Sequence, residues 1–247
     1  MKWLAILIVS GLAIFGLVRA SSHKTQEKNK SFDSFALLEL FTSEGCSSCP
    51  PADRLLPQLA SENAGVIPLS FHVDYWNNLG WKDPFSQGEF TDRQKQYARQ
   101  LKLESIYTPQ LIINGQYELV GSNKLGAEGN IQKLLKQNAP VKIIVDQVKK
   151  ENNQLSVTCH LVGDWQNSDL IAAVVQKHAE TYVKAGENHG ARLSHTNVVR
   201  EFLHNKAAEK MNFEIPIPGA VEDKWQLILF TQRENNLMIT GASVYDP

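Results

Sequence analysis

One stretch, Phe35-Ala-Leu-Leu-Glu-Leu-Phe-Thr-Ser-Glu-Gly-Cys-Ser-Ser-Cys-Pro50, indicates both the fold and the chemistry of this chain. Residues 35–41 are a nearly continuous apolar run of strand length, which is typical of a strand covered on both faces. Cys46 and Cys49 then follow, directly before a helix-like segment that opens at Pro50. A cysteine pair at a strand-to-helix junction indicates a redox site, although the spacing alone also fits a structural disulfide or half of a zinc site.

The two cysteines are predicted to differ in reactivity. The positive end of the helix dipole and the free backbone N–H groups at a helix start stabilise a thiolate, so Cys46 is expected to be the nucleophile. Cys49, about one turn further along, is placed to attack a mixed disulfide between Cys46 and a substrate. The pattern therefore predicts thiol-disulfide exchange on protein thiols or disulfides, with no cofactor besides the cysteine pair.

The composition is that of a globular protein. The 247 residues are 43% hydrophobic and 21% charged, with a formal net charge of -1. This length is sufficient for two domains that each bury a core. A charge balance this close to zero provides no general attraction to phosphates, so we do not expect nucleic-acid binding.

The first residues have the features of an export signal. Met1 and Lys2 precede an apolar run that ends at Val18, and Ala20 is a small residue that suits signal peptidase. We therefore predict a signal peptide over residues 1–20 and a secreted, periplasmic or cell-envelope protein. The alternative is an uncleaved membrane anchor, although the apolar run of about 16 residues is short for a bilayer span, which needs ~20. Export brings the cysteines into contact with oxidants, so they are expected to form a disulfide unless a membrane-bound redox partner reduces them.

Two regions with different patterns of apolar and polar residues follow a polar linker over residues 21–32. Residues 33–139 alternate strand and helix patterns, and Asn114-Gly115 between two apolar runs predicts a β-hairpin. Val66 to Val73 is a second strand candidate, although its Pro68 cannot donate a hydrogen bond to a neighbouring strand. Residues 140–247 consist of short alternating runs separated by turn residues, which predict a β-sandwich-like domain. Within that domain, Thr196 to Lys206 fits a short helix or a strand equally well.

The histidines and the third cysteine are weaker evidence for a functional site than the Cys46/Cys49 pair. His72 ends a strand candidate, so Cys46, Cys49 and His72 form an alternative ligand set for copper or zinc. Cys159 lies in an alternating stretch and is interpreted as a small buried hydrophobic residue. The polar segment 188–195 resembles a site in composition, but a solvated turn is the simpler interpretation.

The N-terminal pattern resembles a thioredoxin fold over residues 33–139. The resemblance predicts an α/β thioredoxin-like domain, a mixed sheet with helices on both faces, followed by the β-sandwich-like domain. It also implies that Pro109 is a cis-proline beside the sulfur atoms, and that Thr108 pairs with an extended substrate in the adjoining groove. Glu39 falls close to the position of a buried acid that exchanges protons with the resolving cysteine, or else it is a strand-end residue whose side chain reaches solvent. Trp76 is a candidate wall of the groove, or else part of the core.

A narrower resemblance is based on four motifs, at residues 38–53, 72–76, 80–85 and 107–120. Together these are similar to a secreted thioredoxin-like family, the domain of unknown function numbered 1223. This resemblance implies a thioredoxin-like fold and export, and it provides no established substrate. Because Ser47-Ser48 stands where thioredoxins have Gly-Pro, a redox potential cannot be transferred. A non-catalytic envelope binding module with a structural disulfide therefore remains an alternative.

Overall fold

The computed structural model describes residues 29–219 and 224–247. The signal peptide or anchor predicted over residues 1–20, and most of the predicted linker, lie outside these residues. Asn29–Ser31, at the end of the predicted linker, forms strand β1. In the described part of the chain, no helix is both long and apolar enough to cross a bilayer.

The described residues form three helices and twelve strands. The helices are α1 (Pro50–Glu62), α2 (Gly88–Leu101) and α3 (Lys124–Leu134). The strands are β1, β2 (Ala36–Thr42), β3 (Val66–His72), β4 (Gln110–Ile113), β5 (Tyr117–Val120), β6 (Val141–Glu151), β7 (Gln154–Gly163), β8 (Ser168–Tyr182), β9 (Arg192–Lys206), β10 (Lys210–Pro216), β11 (Trp225–Arg233) and β12 (Ile239–Tyr245).

One mixed sheet contains strands from both halves of the chain. Its order is β1-β12-β11-β8-β9-β3-β2-β4-β5, and β10-β7-β6 form a separate three-stranded sheet. The predicted fold class is therefore wrong. The chain is mostly β, and it is not a thioredoxin-like α/β domain with helices on both faces joined to a β-sandwich. The predicted boundary at 139/140 falls between α3 and β6.

The long hairpin of β8 and β9 joins the two halves. β9 is antiparallel to β8 along most of its length and meets the edge of β3 in parallel at Ser70 and Val198. Pro68 of β3 has no backbone N–H with which to bond a neighbouring strand. Its carbonyl accepts a hydrogen bond from the side chain of Asn197 at 3.0 Å, which adds a contact between β3 and β9. The segment 196–206, which fitted helix and strand equally well, is therefore a strand that covers the β3 edge.

The core explains why the halves are not independent. One cluster of buried side chains contains Phe41 of β2, Tyr97 of α2, Ile171 of β8 and Phe230 of β11. Burying this apolar surface favours a single sheet, because separating the halves would return it to water. A second cluster lies between the small sheet and the opposite face of β8 and β11. It contains Cys159, which is fully buried as its interpretation predicts and whose pKa burial raises to about 12.

Alternation along β2 determines which side chains approach α1. Leu38 and Leu40 are packed in the cluster that includes α1 and α3. Leu37 and Phe41 point to the other face, in the cluster that includes α2. Because successive side chains of a strand point to opposite faces, Glu39 shares the face of Leu37 and Phe41.

Candidate redox site

The candidate site lies where two parallel strands end. β2 and β3 are parallel and end at Thr42 and His72, so the segments that follow them meet at one edge of the sheet. The carboxyl edge of parallel strands is the usual place for a site in sheets of this kind. The segment after β2 leads into Cys46 and Cys49, which form a disulfide at the start of α1.

The disulfide is covered. Cys46 and Cys49 have no exposed surface, whereas Ser47 and Ser48 between them are exposed. The Ser48 hydroxyl lies 3.3 Å from the Cys46 sulfur and donates to the Thr108 carbonyl at 3.4 Å. A visiting protein therefore meets the two serines before it meets either sulfur atom.

The start of α1 offers fewer free N–H groups than the sequence suggested. Pro50 and Pro51 have no backbone N–H, and the N–H groups of Ala52 and Asp53 both donate to the Cys49 carbonyl. The predicted stabilisation of a thiolate by free helix N–H groups is therefore reduced here. The helix dipole remains, because it depends on the aligned peptide units and not on particular donors.

The residues predicted to form the groove lie together. The peptide bond between Thr108 and Pro109 is cis, and Pro109 is buried. A Cβ placed on Gly121 would lie 3.0 Å from the Cβ of Ala52 in α1 and 3.1 Å from the Cβ of Pro109, so this proline is close to the helix start. Trp76 Nε1 donates to the Thr108 hydroxyl at 2.8 Å.

Glu39 is not brought to the cysteines. It lies on the α2 face of β2, where Arg93 Nε donates to it at 2.5 Å and Nη2 at 3.0 Å. The hydroxyl of Tyr97 donates to the same carboxylate at 2.5 Å. Glu39 is thus part of a fully buried ion pair on the opposite side of the strand from α1.

A second group of ionisable side chains lies on the cysteine side, and we call it the acid-histidine cluster. Its members, all buried, are Glu44, Asp53, His72, Asp83 and His195. His195 Nε2 lies 3.3 Å from Glu44 Oε1, and its Nδ1 lies 3.7 Å from Asp53 Oδ2. The rings of His72 and His195 meet edge to face with centroids 4.6 Å apart.

Some polar atoms of the acid-histidine cluster have hydrogen-bond partners. His72 Nδ1 and Asp83 Oδ2 are 2.7 Å apart, and the same Asp83 oxygen accepts the backbone N–H of Glu44 at 2.8 Å. Trp81 Nε1 donates to the second oxygen of Glu44 at 2.8 Å. These contacts join the segment after β2 to the segment after β3.

The remaining polar atoms of the cluster are buried without hydrogen bonds. Among the described residues, six such atoms belong to it: Glu44 Oε1, both carboxylate oxygens of Asp53, His72 Nε2 and both ring nitrogens of His195. Burial lowers the pKa of His195, but the adjacent carboxylates of Asp53 and Glu44 outweigh burial and raise this pKa to about 10. His195 is therefore a buried imidazolium at neutral pH, between two carboxylates.

A loop from the second half of the chain completes the site. Between β8 and β9, the side chain of Asn188 donates to the carbonyls of Glu44 and Cys46, at 2.8 and 2.9 Å. Glu187 accepts the N–H of Ser47 at 3.2 Å. The sequence interpretation of segment 188–195 as a solvated turn misses both Asn188 and the buried His195, and its polar composition was the only signal.

The structure does not assemble the alternative metal set. In residues 29–219 and 224–247, no group of three or more His, Cys, Asp or Glu side chains is arranged to hold a metal ion. Cys46 and Cys49 are bonded to each other, and one nitrogen of His72 is paired with Asp83.

Comparisons with known proteins locate the chain in a family. A crystal structure of an Agrobacterium tumefaciens protein is 28% identical, covers 87% of this chain and 96% of its own, and superposes with a TM-score of 0.67. HBP35 of Porphyromonas gingivalis is 16% identical over 87% of this chain and 76% of its own, with a TM-score of 0.63, and indicates the fold alone. No curated protein sequence matches. Residues 37–232 match the family described as "Protein of unknown function (DUF1223)", and the chain therefore belongs to this family.

Proposed function

We propose that the protein is a thiol-disulfide oxidoreductase that exchanges the Cys46–Cys49 disulfide with thiols or disulfides of other proteins. The observation that supports this proposal is that the disulfide lies in the chain segment between Glu44 and Asp53, the two acids that flank the buried His195. A purely structural disulfide does not need a cluster of buried ionisable groups in the segments around it. Such groups are costly to bury and are concentrated at reaction sites.

The exchange balances as two successive substitutions at sulfur. A substrate thiolate attacks the sulfur of Cys46, the bond to Cys49 breaks, and Cys49 leaves with the electron pair and takes up a proton. A second substrate thiolate then attacks the substrate sulfur of the mixed disulfide. The substrate becomes a disulfide, Cys46 is released as a thiolate that takes up a proton, and the pair has been reduced by two electrons. The reverse sequence reduces a substrate disulfide.

Access requires a small rearrangement over the disulfide. Ser48 is exposed, and its contact with the Thr108 carbonyl is long, so a visiting chain can displace it at low cost. The carbonyl of Thr108 would then be free to pair with an extended substrate, with Trp76 beside it. This arrangement supports Cys46 as the atom attacked first.

The compartment and the partners are part of the proposal. The export signal read in residues 1–20 favours a secreted, periplasmic or cell-envelope protein that acts on protein thiols or disulfides. A membrane-bound redox partner would restore the reactive state of the pair after each cycle. No cofactor besides the disulfide is required, and nucleic acid is not an expected partner.

The second candidate is a non-catalytic binding module in which the disulfide is structural. The specific observation that favours it is the complete burial of both cysteines under the β8–β9 loop, whose Asn188 holds the carbonyls on either side of Gly45. In that case the disulfide would fix the start of α1, and binding would occur elsewhere.

The reduction potential of the Cys46/Cys49 couple separates the two candidates. Equilibration with glutathione or dithiothreitol buffers, followed by thiol alkylation and mass spectrometry, measures it. An oxidoreductase is expected between about -120 and -270 mV, whereas a structural disulfide has a potential below about -300 mV. A Cys49→Ala variant should also trap mixed disulfides on Cys46 that disappear in Cys46→Ala. A potential below the structural limit together with no trapped adducts would overturn the proposal.

A further inference from the structure

The approach to the disulfide passes over the two serines between the cysteines. The cysteines have no exposed surface, whereas Ser47 and Ser48 are exposed. The N–H of Ser47 donates to Glu187 of the β8–β9 loop at 3.2 Å, and the Ser48 hydroxyl donates to the Thr108 carbonyl at 3.4 Å. A partner segment that reaches the sulfur atoms therefore enters between this loop and the Thr108 segment.

Glu187 places a negative charge beside Cys46. Because the backbone nitrogen of Ser47 is bonded to the carbonyl carbon of Cys46, the Glu187 oxygen that accepts its N–H lies within about 6 Å of the Cys46 Cα atom. Hydrogen bonds from the side chain and the backbone of Ser47 lower the pKa of Glu187, and among the described residues no cation contributes to this shift. The carboxylate is exposed and ionised at neutral pH, so an approaching chain meets its charge.

The residues on either side of Glu187 hold the loop in position. Asn188 donates to the carbonyls on either side of Gly45, at 2.8 and 2.9 Å. A Cβ atom on Gly186 would lie 3.1 Å from the Cβ of Trp81, so the loop backbone packs directly on the segment after β3. The side chain of Glu187 can therefore be changed without removing these contacts.

Apolar side chains also lie beside the approach. A Cβ atom on Gly45 would lie 3.0 Å from the Cβ of Trp76, and Trp76 Nε1 donates to the Thr108 hydroxyl. Leu79 is 58% exposed, and its N–H donates to the Trp76 carbonyl at 3.0 Å. Neither Trp76 nor Leu79 carries a charge, so these side chains do not distinguish cationic from anionic partners. Glu187 does.

We propose that Glu187 makes the protein prefer partner segments with Lys or Arg beside the reactive cysteine over segments with Asp or Glu there. The inference rests on the proposed function and names the substrate class of the same site. Two unit charges about 7 Å apart in water change a rate constant about threefold, so a cationic partner is expected to react about tenfold faster than an anionic one. Glu187 is a specificity-determining residue and takes no part in the exchange of bonds.

The test uses a Cys49→Ala/Cys159→Ala parent, in which Cys46 is the only thiol. Its substrates are three peptides whose cysteine is followed by Lys, Gln or Glu, each activated as a disulfide with thionitrobenzoate. The Cys46 thiolate attacks the peptide sulfur, and a Cys46–peptide disulfide forms. The original S–S bond breaks, and thionitrobenzoate leaves with the electron pair as a coloured thiolate whose absorbance gives the rate.

The measured quantity is the rate with the Lys peptide divided by the rate with the Glu peptide. In about 0.01 M salt, Glu187→Gln should lower this ratio about tenfold, and Glu187→Lys should lower it about tenfold further. In about 1 M salt, where the Debye length is about 3 Å, the parent should lose most of its preference. A displaced loop would instead change the rates of all three peptides together and leave the ratio unchanged.

Glu214→Gln is the matched control. Glu214 is an exposed carboxylate on β10 of the separate three-stranded sheet, where it accepts a hydrogen bond from Gln154. Its substitution changes the net charge by the same amount as Glu187→Gln and should leave the ratio as it is in the parent. An equal fall of the ratio in both variants would mean that net charge, and not the position of Glu187, determines the preference, and would overturn the inference.

Two further outcomes would overturn the inference. One is an equal ratio in the parent and in Glu187→Gln, and the other is a parent ratio that does not depend on salt, which requires no substitution at residue 187. The same peptides as free thiols, added to the intact disulfide, test the proposed function separately. If none of them exchanges, the function fails and the preference with it. If all three exchange at one rate, the function stands and only the preference fails.

Discussion

Two buried ionic clusters lie on opposite sides of β2, and they differ in how completely their polar atoms are paired. In the Arg93 cluster, formed by Glu39, Arg93, Tyr97 and Gln232, Arg93 donates to Glu39, Tyr97 and Gln232, and Gln232 Nε2 donates to the Tyr97 hydroxyl at 2.8 Å. In the acid-histidine cluster, six buried polar atoms have no such bond within the described chain. A fully hydrogen-bonded buried cluster holds one arrangement, whereas the ion pairs of the acid-histidine cluster leave part of their hydrogen-bonding capacity unused. The first cluster is expected to stabilise the fold, and the second is the environment of the reaction that we propose.

The largest effect is expected from Arg93→Met, which leaves the Glu39 carboxylate buried without its cation. Arg93 also lies 4.9 to 5.7 Å from the centres of four aromatic rings, so its loss disturbs packing as well. Removing one partner of a buried ion pair costs about 3–5 kcal/mol, measured as the free energy of unfolding in urea. The Arg93→Met/Glu39→Leu double variant should recover most of this loss. A loss below about 1 kcal/mol in the single variant would show that the pair is not structural.

A smaller effect, with a different pH dependence, is expected from His195→Gln. The folded-state pKa of His195 is raised from 6.5 to about 10, so its contribution to stability is fully present below pH 6.5 and is lost as the pH rises through about 10. The variant should lose about 2 kcal/mol near pH 6 and little near pH 10, because the imidazole of the unmodified protein itself loses its charge around pH 10.

Urea unfolding of both proteins at several pH values checks this prediction. The unmodified protein should become less stable relative to His195→Gln as the pH rises from 6.5 to 10. Parallel stability curves for the two proteins would contradict a buried imidazolium at residue 195. His160→Gln is the control, since this histidine lies in a surface pair with Asp146 and has no such environment.

Local signals in the sequence were sufficient to predict individual elements. The Asn114-Gly115 pair predicted a hairpin, and both residues have positive φ angles, of 48° and 68°, as the turn between β4 and β5 requires. Cys46 and Cys49 were identified from their spacing and from the strand and helix around them. These features depend on residues that are near one another in the chain.

The assembly of the elements could not be predicted in the same way. An alternating pattern shows that a strand has one buried face, but it does not identify the neighbouring strand. The pairing of Ser70 with Val198, which joins the halves into one sheet, connects residues far apart in sequence. A resemblance limited to residues 33–139 therefore led to the wrong fold class for the whole chain.

The same limit applies to the candidate site. Glu39 was chosen because the thioredoxin resemblance implies a buried acid near its position, but the alternation of side chains directs it away from α1 and towards Arg93. His195 and Asn188 were missed because they reach the disulfide only through the β8–β9 hairpin. The sequence alone does not show whether polar residues next to a strand are buried or exposed in the folded protein.

Asn188→Ala tests whether the β8–β9 loop limits access to the disulfide, because this substitution removes hydrogen bonds over the disulfide and changes no charge in the acid-histidine cluster. Loss of its two bonds to the carbonyls of Glu44 and Cys46 should cost about 1–2 kcal/mol and increase the rate at which dithiothreitol reduces the disulfide. In a Cys46→Ser/Cys159→Ala variant, whose only thiol is Cys49, adding Asn188→Ala should change the titration midpoint of Cys49 by no more than about a few tenths of a pH unit, because no charge is removed. His189→Ala, in the same loop and exposed, is the control. An unchanged reduction rate would show that the loop does not limit access to the sulfur atoms.

The smallest effect on stability is expected at Asp92, the residue that precedes Arg93 in the sequence. This residue precedes Arg93 on α2, but it points to solvent, where it pairs with Lys95 at 3.1 Å with 70% of its side chain exposed. Exposed pairs contribute about 0–1 kcal/mol, because water screens the charges and both side chains lose freedom. Asp92→Asn should therefore change the free energy of unfolding by less than about 0.5 kcal/mol, and the change should vanish in high salt. A loss comparable to that of Arg93→Met would mean that α2 is stabilised by its charge as a whole, and the contrast between the two clusters would lose its basis.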